Sequence, residues 1–316
     1  MAYLDLPAAA LAWLGRQGTR AVAVSLFAGL ALPPLAASMK AIFTPNLFVL
    51  LCLAFLRVDP DALRRHFTRP GLVVAAVAWM MLATPLAAGL ALAPLGLDQS
   101  APGLLVALIF QAAAPPVIAT PAFAALIGLD AALALATLVA CAAVTPLTAA
   151  LFAALFLGPP VAISAPALGA QLLALLAGAA LAAALVRRIA GQAWVARQAE
   201  RIEGLSVISL FVFAVAVMDG VPALAVTRPL AVLGLIALAF VVSLGLGAMT
   251  ALVFARAGRT AALTLALSAG LRNMGVMVAA TGGLVPELTW IYTGLAQFPV
   301  YLLPQLLKPV LGATKE

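Results

Sequence analysis

Apolar residues run through this chain in long unbroken blocks, not in the two-residue alternation of a half-buried strand. Arg, Asp, Pro and Gly punctuate the blocks, which lie near residues 19–36, 41–57, 70–92, 102–127, 131–156, 165–187, 204–225, 229–255, 260–282 and 285–307. A helix needs about 20 residues to cross a bilayer core. The pattern therefore predicts an all-α polytopic membrane protein with ten transmembrane helices. Short alternating segments of about ten residues, the mark of a membrane barrel, are absent from the sequence.

Composition agrees. Of 316 residues, 66% are hydrophobic and 9% charged, and the mean hydropathy is +1.21. A soluble chain of this kind would expose apolar surface that water does not tolerate. The first block admits a second reading, because Arg16, Arg20 and the small residues 36–38 also suit a cleavable signal peptide. Residues 1–18, with Leu4, Leu6, Leu11, Trp13 and Leu14, fit an interfacial helix or an apolar terminus.

Charge orients the bundle. With both termini cytoplasmic, Arg16, Arg20, Arg57, Arg64, Arg65, Arg69, Arg187, Arg188, Arg197, Arg201, Arg256, Arg259, Lys308 and Lys315 fall inside, and Lys40 and Arg228 outside. Membrane topology thus accounts for the net charge of +7, and no nucleic-acid partner is expected. Arg272 belongs to neither side. Cys52 and Cys141 lie within apolar blocks and His66 in a basic loop, so no metal or disulfide framework follows. The chain has no phosphate-binding loop, which argues against ATP-driven transport.

The halves correspond at an offset of 157 to 159 residues. Thr68-Arg69-Pro70 meets Thr227-Arg228-Pro229, Asp130 meets Glu287, and Pro146 meets Pro304. Five spans in each half make the second half inverted, which divides the chain at 1–160 and 161–316. The same offset sets Ala114-Pro115-Pro116 in span four against Leu271-Arg272-Asn273 in span nine. Pro115 and Pro116 lack N–H groups, and Pro121 repeats the effect. Gly270 and Gly275 bracket a polar patch in span nine. Helices four and nine are therefore predicted to be discontinuous, broken near 113–117 and around 271–274. Paired breaks of this kind mark the binding site of inverted-repeat transporters.

Three stretches resemble the bile acid:sodium symporter family: Leu56-Arg57-Val58-Asp59-Pro60 running to Arg69-Pro70, Ala113-Ala114-Pro115-Pro116, and Ala262-Leu263-Thr264-Leu265 followed by Gly270-Leu271-Arg272-Asn273-Met274-Gly275. The resemblance implies a panel domain of spans 1, 2, 6 and 7 and a core domain of spans 3–5 and 8–10, with the discontinuous helices 4 and 9 crossing at the centre. It further implies a bacterial inner-membrane location and alternating access for a small organic anion such as a bile acid, pantoate or a keto acid.

The sequence departs from that family where sodium is held. Thr120 alone keeps a side-chain oxygen in the Pro115–Pro121 stretch. Ser268 stands where the resemblance implies a shared glutamate, Arg272 where it implies glutamine, and Ala134 and Leu138 where it implies hydroxyls. Sodium as a cofactor is disfavoured. Arg272 needs partners at depth, since an arginine there costs roughly 2.5–3.5 kcal/mol on insertion scales. Two roles are open to it: a built-in cation at the helix break, or a guanidinium facing a substrate carboxylate.

The candidate substrate-binding or ion-binding residues are Arg272, Asn273, Ser268, Thr120, Gln111, Pro115, Pro116 and Gln297, with Asn46, Thr145 and Ser243 behind them. Met274, Met277, Phe110 and Phe298 are candidates for an apolar lining. A proton antiporter needs carboxylates at membrane depth, and every Asp and Glu falls at a predicted end or loop. An intramembrane enzyme needs a base beside Ser268, and none is predicted. A sensor built on a transporter scaffold is the remaining alternative.

Overall fold

The computed structural model describes residues 27–58, 70–158 and 163–312. The proposed interfacial segment 1–18 and most of the 58–69 loop lie outside them. The described residues are helical throughout, with a single isolated β-bridge and no strand. We number the helices α1 (Pro33–Ala41), α2 (Phe43–Arg57), α3 (Pro70–Leu95), α4 (Pro102–Ala113), α5 (Thr120–Leu126), α6 (Ala131–Phe156), α7 (Ala165–Ala190) and α8 (Gln192–Arg197). Then follow α9 (Ala199–Ala216), α10 (Val221–Thr227), α11 (Pro229–Val253), α12 (Arg259–Gly270), α13 (Met274–Ala280), α14 (Glu287–Leu295) and α15 (Gln297–Gly312).

Proline opens many of these helices. It stands in the first turn of α1, α4, α5, α7, α10 and α11, where its missing N–H would have no helical partner anyway. Asp130 caps α6 by accepting from the N–H groups of Ala132 and Leu133 at 3.0 and 2.9 Å. At 26 residues, α6 is about 39 Å long, more than a bilayer core requires.

Five helical segments among the described residues are long and apolar enough to cross a membrane, and up to six if the bent pair α1–α2 counts as one span. Their outer faces are apolar too. Only 22% of the most apolar stretch of α7 and of α11 is buried, and Leu181 and Leu230 are 70% and 81% exposed. Such faces require lipid, as in an integral membrane protein.

Three boundaries differ from the hydropathy pattern. The loop expected at 37–40 is helical, because Pro33 and Pro34 start a new helix that meets α2 at a 72° bend. The seventh block is interrupted after Ala216, and Gly220 takes φ 81° before α10 begins. The tenth divides at Ala296 into α14 and α15.

Helices α1, α2, α7 and α9 pack on one another, while α3, α4, α6, α11, α12 and α14 form a second assembly, joined to the first through α6 and α7. A core containing Phe43, Leu47, Leu51, Phe213, Met218, Trp290 and Tyr292 fills the space between. Glycines permit the closest approaches. A Cβ on Gly270 would lie 2.7 Å from the Ser243 carbonyl, and one on Gly294 would collide with the Val217 carbonyl.

Because a backbone oxygen cannot swing aside, Gly294→Val should cost about 1–3 kcal/mol and lower the melting temperature of the detergent-purified protein. Gly234 has open space around it, so Gly234→Ala should leave that temperature unchanged or slightly raised. Equal shifts in the two variants would show that the close approach at Gly294 is unimportant.

Candidate functional site

Helix α4 stops at Ala113 because the residue preceding a proline avoids the helical region, and Ala114 sits at φ −67°, ψ 149° ahead of Pro115. Helix α12 stops at Gly270, with Leu271 at φ −102°, ψ 92° and Asn273 at φ −86°, ψ 72°. These two interruptions lie side by side. The Val117 N–H donates to the Leu271 carbonyl and the Asn273 N–H to the Pro115 carbonyl, each at 2.8 Å. This forms an antiparallel bridge between Pro116 and Arg272. Irregular backbone at membrane depth is tolerated only when protein or a watery cavity satisfies it, and here each break helps satisfy the other.

Arg272 completes the junction. Its side chain is buried, and Nε donates to the Ala269 carbonyl at 2.7 Å. Nη1 donates to the Ala114 carbonyl at 2.9 Å and the Met80 carbonyl at 3.3 Å, and Nη2 to Thr84 Oγ1 at 3.1 Å. The acceptors come from α12, from the end of α4 and from α3. Two of them lie at helix C-termini, where the backbone dipole is negative. Charged hydrogen bonds of about 1.5–3 kcal/mol each offset the insertion cost of an arginine at depth. The guanidinium therefore faces the junction, as a built-in cation does, although part of Arg272 borders a cleft.

The Met80 carbonyl is available because of Pro85. Residues Trp79–Ala83 form a π-helical turn in which the Thr84 N–H reaches back to the Trp79 carbonyl. The next backbone nitrogen belongs to proline and carries no hydrogen. Met80 is thereby left without a helical donor. It accepts instead from Thr84 Oγ1 at 2.8 Å and from Arg272.

Two clefts of about 270 Å³ each flank the bridge. One is lined by Pro115, Pro116, Leu135, Leu176 and Val276, and the other by Val117, Phe123, Phe213, Gln297 and Tyr301. Ala54, Arg57, Ile118, Ala122 and Asn273 line both, which makes the clefts two lobes around one waist. Asn273 is 7% exposed, and its side-chain amide makes no hydrogen bond to a described residue.

Of the sequence candidates, Pro115, Pro116, Arg272, Asn273 and Gln297 gather at these lobes, with Gln297 Nε2 also donating to the Thr293 carbonyl at 2.9 Å. The others turn away. Ser268 donates to the Thr264 carbonyl at 3.0 Å, and Thr120 to the Val117 carbonyl at 2.6 Å. Gln111 accepts from Tyr292 at 2.6 Å and reaches Ser243 Oγ at 3.4 Å. All three are buried outside the cleft linings.

Asn46 bonds the Ser209 carbonyl of α9, and Thr145 bonds the Cys141 carbonyl in its own helix. Phe110, Met274 and Met277 belong to the packed core and Phe298 lies against it, so none of the four lines a lobe. Sequence reasoning missed Met80 and Thr84, for which Thr84-Pro85 inside a span was the available signal. It also treated Arg57 only as a topological charge.

A different arrangement occupies the region of Lys40. Lys40 Nζ pairs with Asp219 Oδ2 at 2.8 Å and lies 4.4 Å from the centroid of the Trp290 ring. Trp290 packs edge-on against Phe43, which stacks on Phe213. The buried Trp290 Nε1 has no hydrogen-bond partner among the described residues. No protein-family model matches the chain, and no curated protein sequence matches it.

Removing the guanidinium leaves the Ala114 and Ala269 carbonyls without their buried donor and Met80 with the Thr84 hydroxyl alone. Arg272→Met should therefore destabilise the purified protein by about 3 kcal/mol or more, with Arg272→Lys intermediate because it keeps the charge with fewer donors. Thermal unfolding in detergent measures this, and a Met variant as stable as the parent would show that the junction stands without the cation.

Proposed function

We propose that this chain is a secondary transporter of small organic anions, similar in kind to the bile acid:sodium symporter family, and that Arg272 stands in place of a bound sodium ion. The observation that carries this reading is the convergence of three backbone carbonyls and one hydroxyl on the Arg272 guanidinium where two broken helices meet. Oxygen acceptors closing around a cation at depth are what a sodium site provides. Here the cation is covalently attached.

The proposed architecture is ten spans in two inverted five-helix halves, with discontinuous spans four and nine crossing at the centre. The Arg272–Ala114 bond supports it, joining positions 158 residues apart, within the offset at which the halves correspond. The proposed panel and core find support in the packing of α1, α2, α7 and α9 apart from most of the remaining helices. Alternating access has its support in an asymmetry. The lobes reach Arg57 on the side assigned to the cytoplasm, while Lys40, Asp219 and Trp290 join the two assemblies near the opposite side.

A proton antiporter is less well supported, since none of the described carboxylates is buried. So is an intramembrane enzyme, since the Ser268 hydroxyl is engaged with its own helix. We further propose the bacterial inner membrane as the location, with both termini cytoplasmic.

The reading is tested by uptake of labelled taurocholate, pantoate and 2-oxobutyrate into proteoliposomes in matched sodium and choline buffers. Saturable uptake of at least one anion, equal in the two buffers, is expected. Strict sodium dependence would overturn the built-in cation, and saturable binding without flux would identify a sensor instead.

A further inference from the structure

Arg272 is committed to the junction, so the chemistry that meets an entering molecule must come from other groups at the waist. Arg57 and Asn273 are the polar side chains common to both lobes, set among Ala54, Ile118 and Ala122. Arg57 is the last residue of α2, and that helix end is held firmly. Arg187 of α7 donates to the carbonyl of Phe55 and, at 2.7 Å, to that of Val58, as basic side chains do at helix C-termini. Arg57 is thus carried on an anchored helix end, and among the described residues its guanidinium pairs with a side chain and not with backbone.

Its partner is Glu203 of α9, which lines the lobe that also contains Phe213 and Gln297. The two side chains are 39% and 41% exposed. An ion pair that open to solvent contributes little to stability, so another carboxylate can compete for the guanidinium at small cost. A planar five-donor fork suits that exchange. The remaining surface of both lobes is largely apolar, and beside it Asn273 offers an amide that bonds no described residue.

We propose that Arg57 is the anion-recognition residue of the cleft, taking the carboxylate of an amphipathic monocarboxylate whose apolar body lies in a lobe and whose polar substituent meets Asn273. Glu203 is the resident carboxylate that occupies Arg57 when the cleft is empty and is displaced on binding. The inference rests on the proposed transport reading only in placing this cleft on the substrate's path; recognition itself is a matter of equilibrium binding.

The experiment uses the purified full-length protein in detergent, with 2-naphthoate and its neutral isostere 2-naphthamide as probes and binding read from ligand-dependent thermal shifts. The acid should bind the parent at least tenfold more tightly than the amide. Glu203→Gln removes the competitor and should tighten acid binding several-fold while leaving amide binding unchanged. Arg57→Gln should bring acid and amide to equal affinity. Equal binding of the two probes to the parent, or a preference for acid surviving in Arg57→Gln, overturns the proposal. If Arg57→Gln does not fold, the Glu203→Gln arm decides, and unchanged or weaker acid binding there overturns it. Loss of the transport reading is separable: charge-selective binding with no proteoliposome flux removes transport and keeps Arg57, whereas flux with charge-blind binding does the reverse.

Discussion

Deep in a membrane protein, a backbone carbonyl without a donor has no water to fall back on, and several such carbonyls meet where α4, α12 and the π turn of α3 come together. Each has lost its helical donor for a local reason: Pro115 and Pro116 after α4, the break after Gly270, and Pro85 beyond Met80. The Arg272 guanidinium answers three carbonyls at once, and the short antiparallel bridge answers two more. The surrounding packing presupposes this closure. Without it, the lobes on either side of Pro116 would have no rigid wall between them.

The same economy separates two tasks that a single arginine is chemically able to combine. A guanidinium can hold a fold together or hold a ligand, and the bonds of Arg272 allocate it to the fold. What remains for a ligand under the proposed function is the waist, where the Asn273 amide bonds no described residue and Arg57 is held by a half-exposed ion pair. Under the proposed function, the affinity of the site and the integrity of the helix junction can then vary independently.

Most of the secondary structure was legible in the sequence because span length and proline placement are written in side-chain types. The junction between the two breaks was legible for the same reason, through Pro115-Pro116 and the glycine-bracketed Arg272-Asn273. What could not be read was the identity of the acceptors. The Met80 carbonyl is a property of the backbone, freed by a change of helical pitch one turn away. Short hydroxyls misled in the opposite sense. Ser268 and Thr120 looked like ligands, yet a hydroxyl in a helix or turn readily bonds a carbonyl three or four residues back, as both do here. Arg57 was obscured because a basic residue at a span end already has an explanation in topology.

The partners of Arg272 also carry an order of events. Met80, Thr84 and Ala114 lie 158 to 192 residues before it in the chain, so during synthesis they enter the bilayer long before their donor exists. The amino-terminal half must wait there with its break unclosed and its π-turn carbonyl served only by the neighbouring hydroxyl. The clasp is consequently a late one: a nascent chain interrupted before residue 272 has the acceptors in place and lacks the donor that joins them.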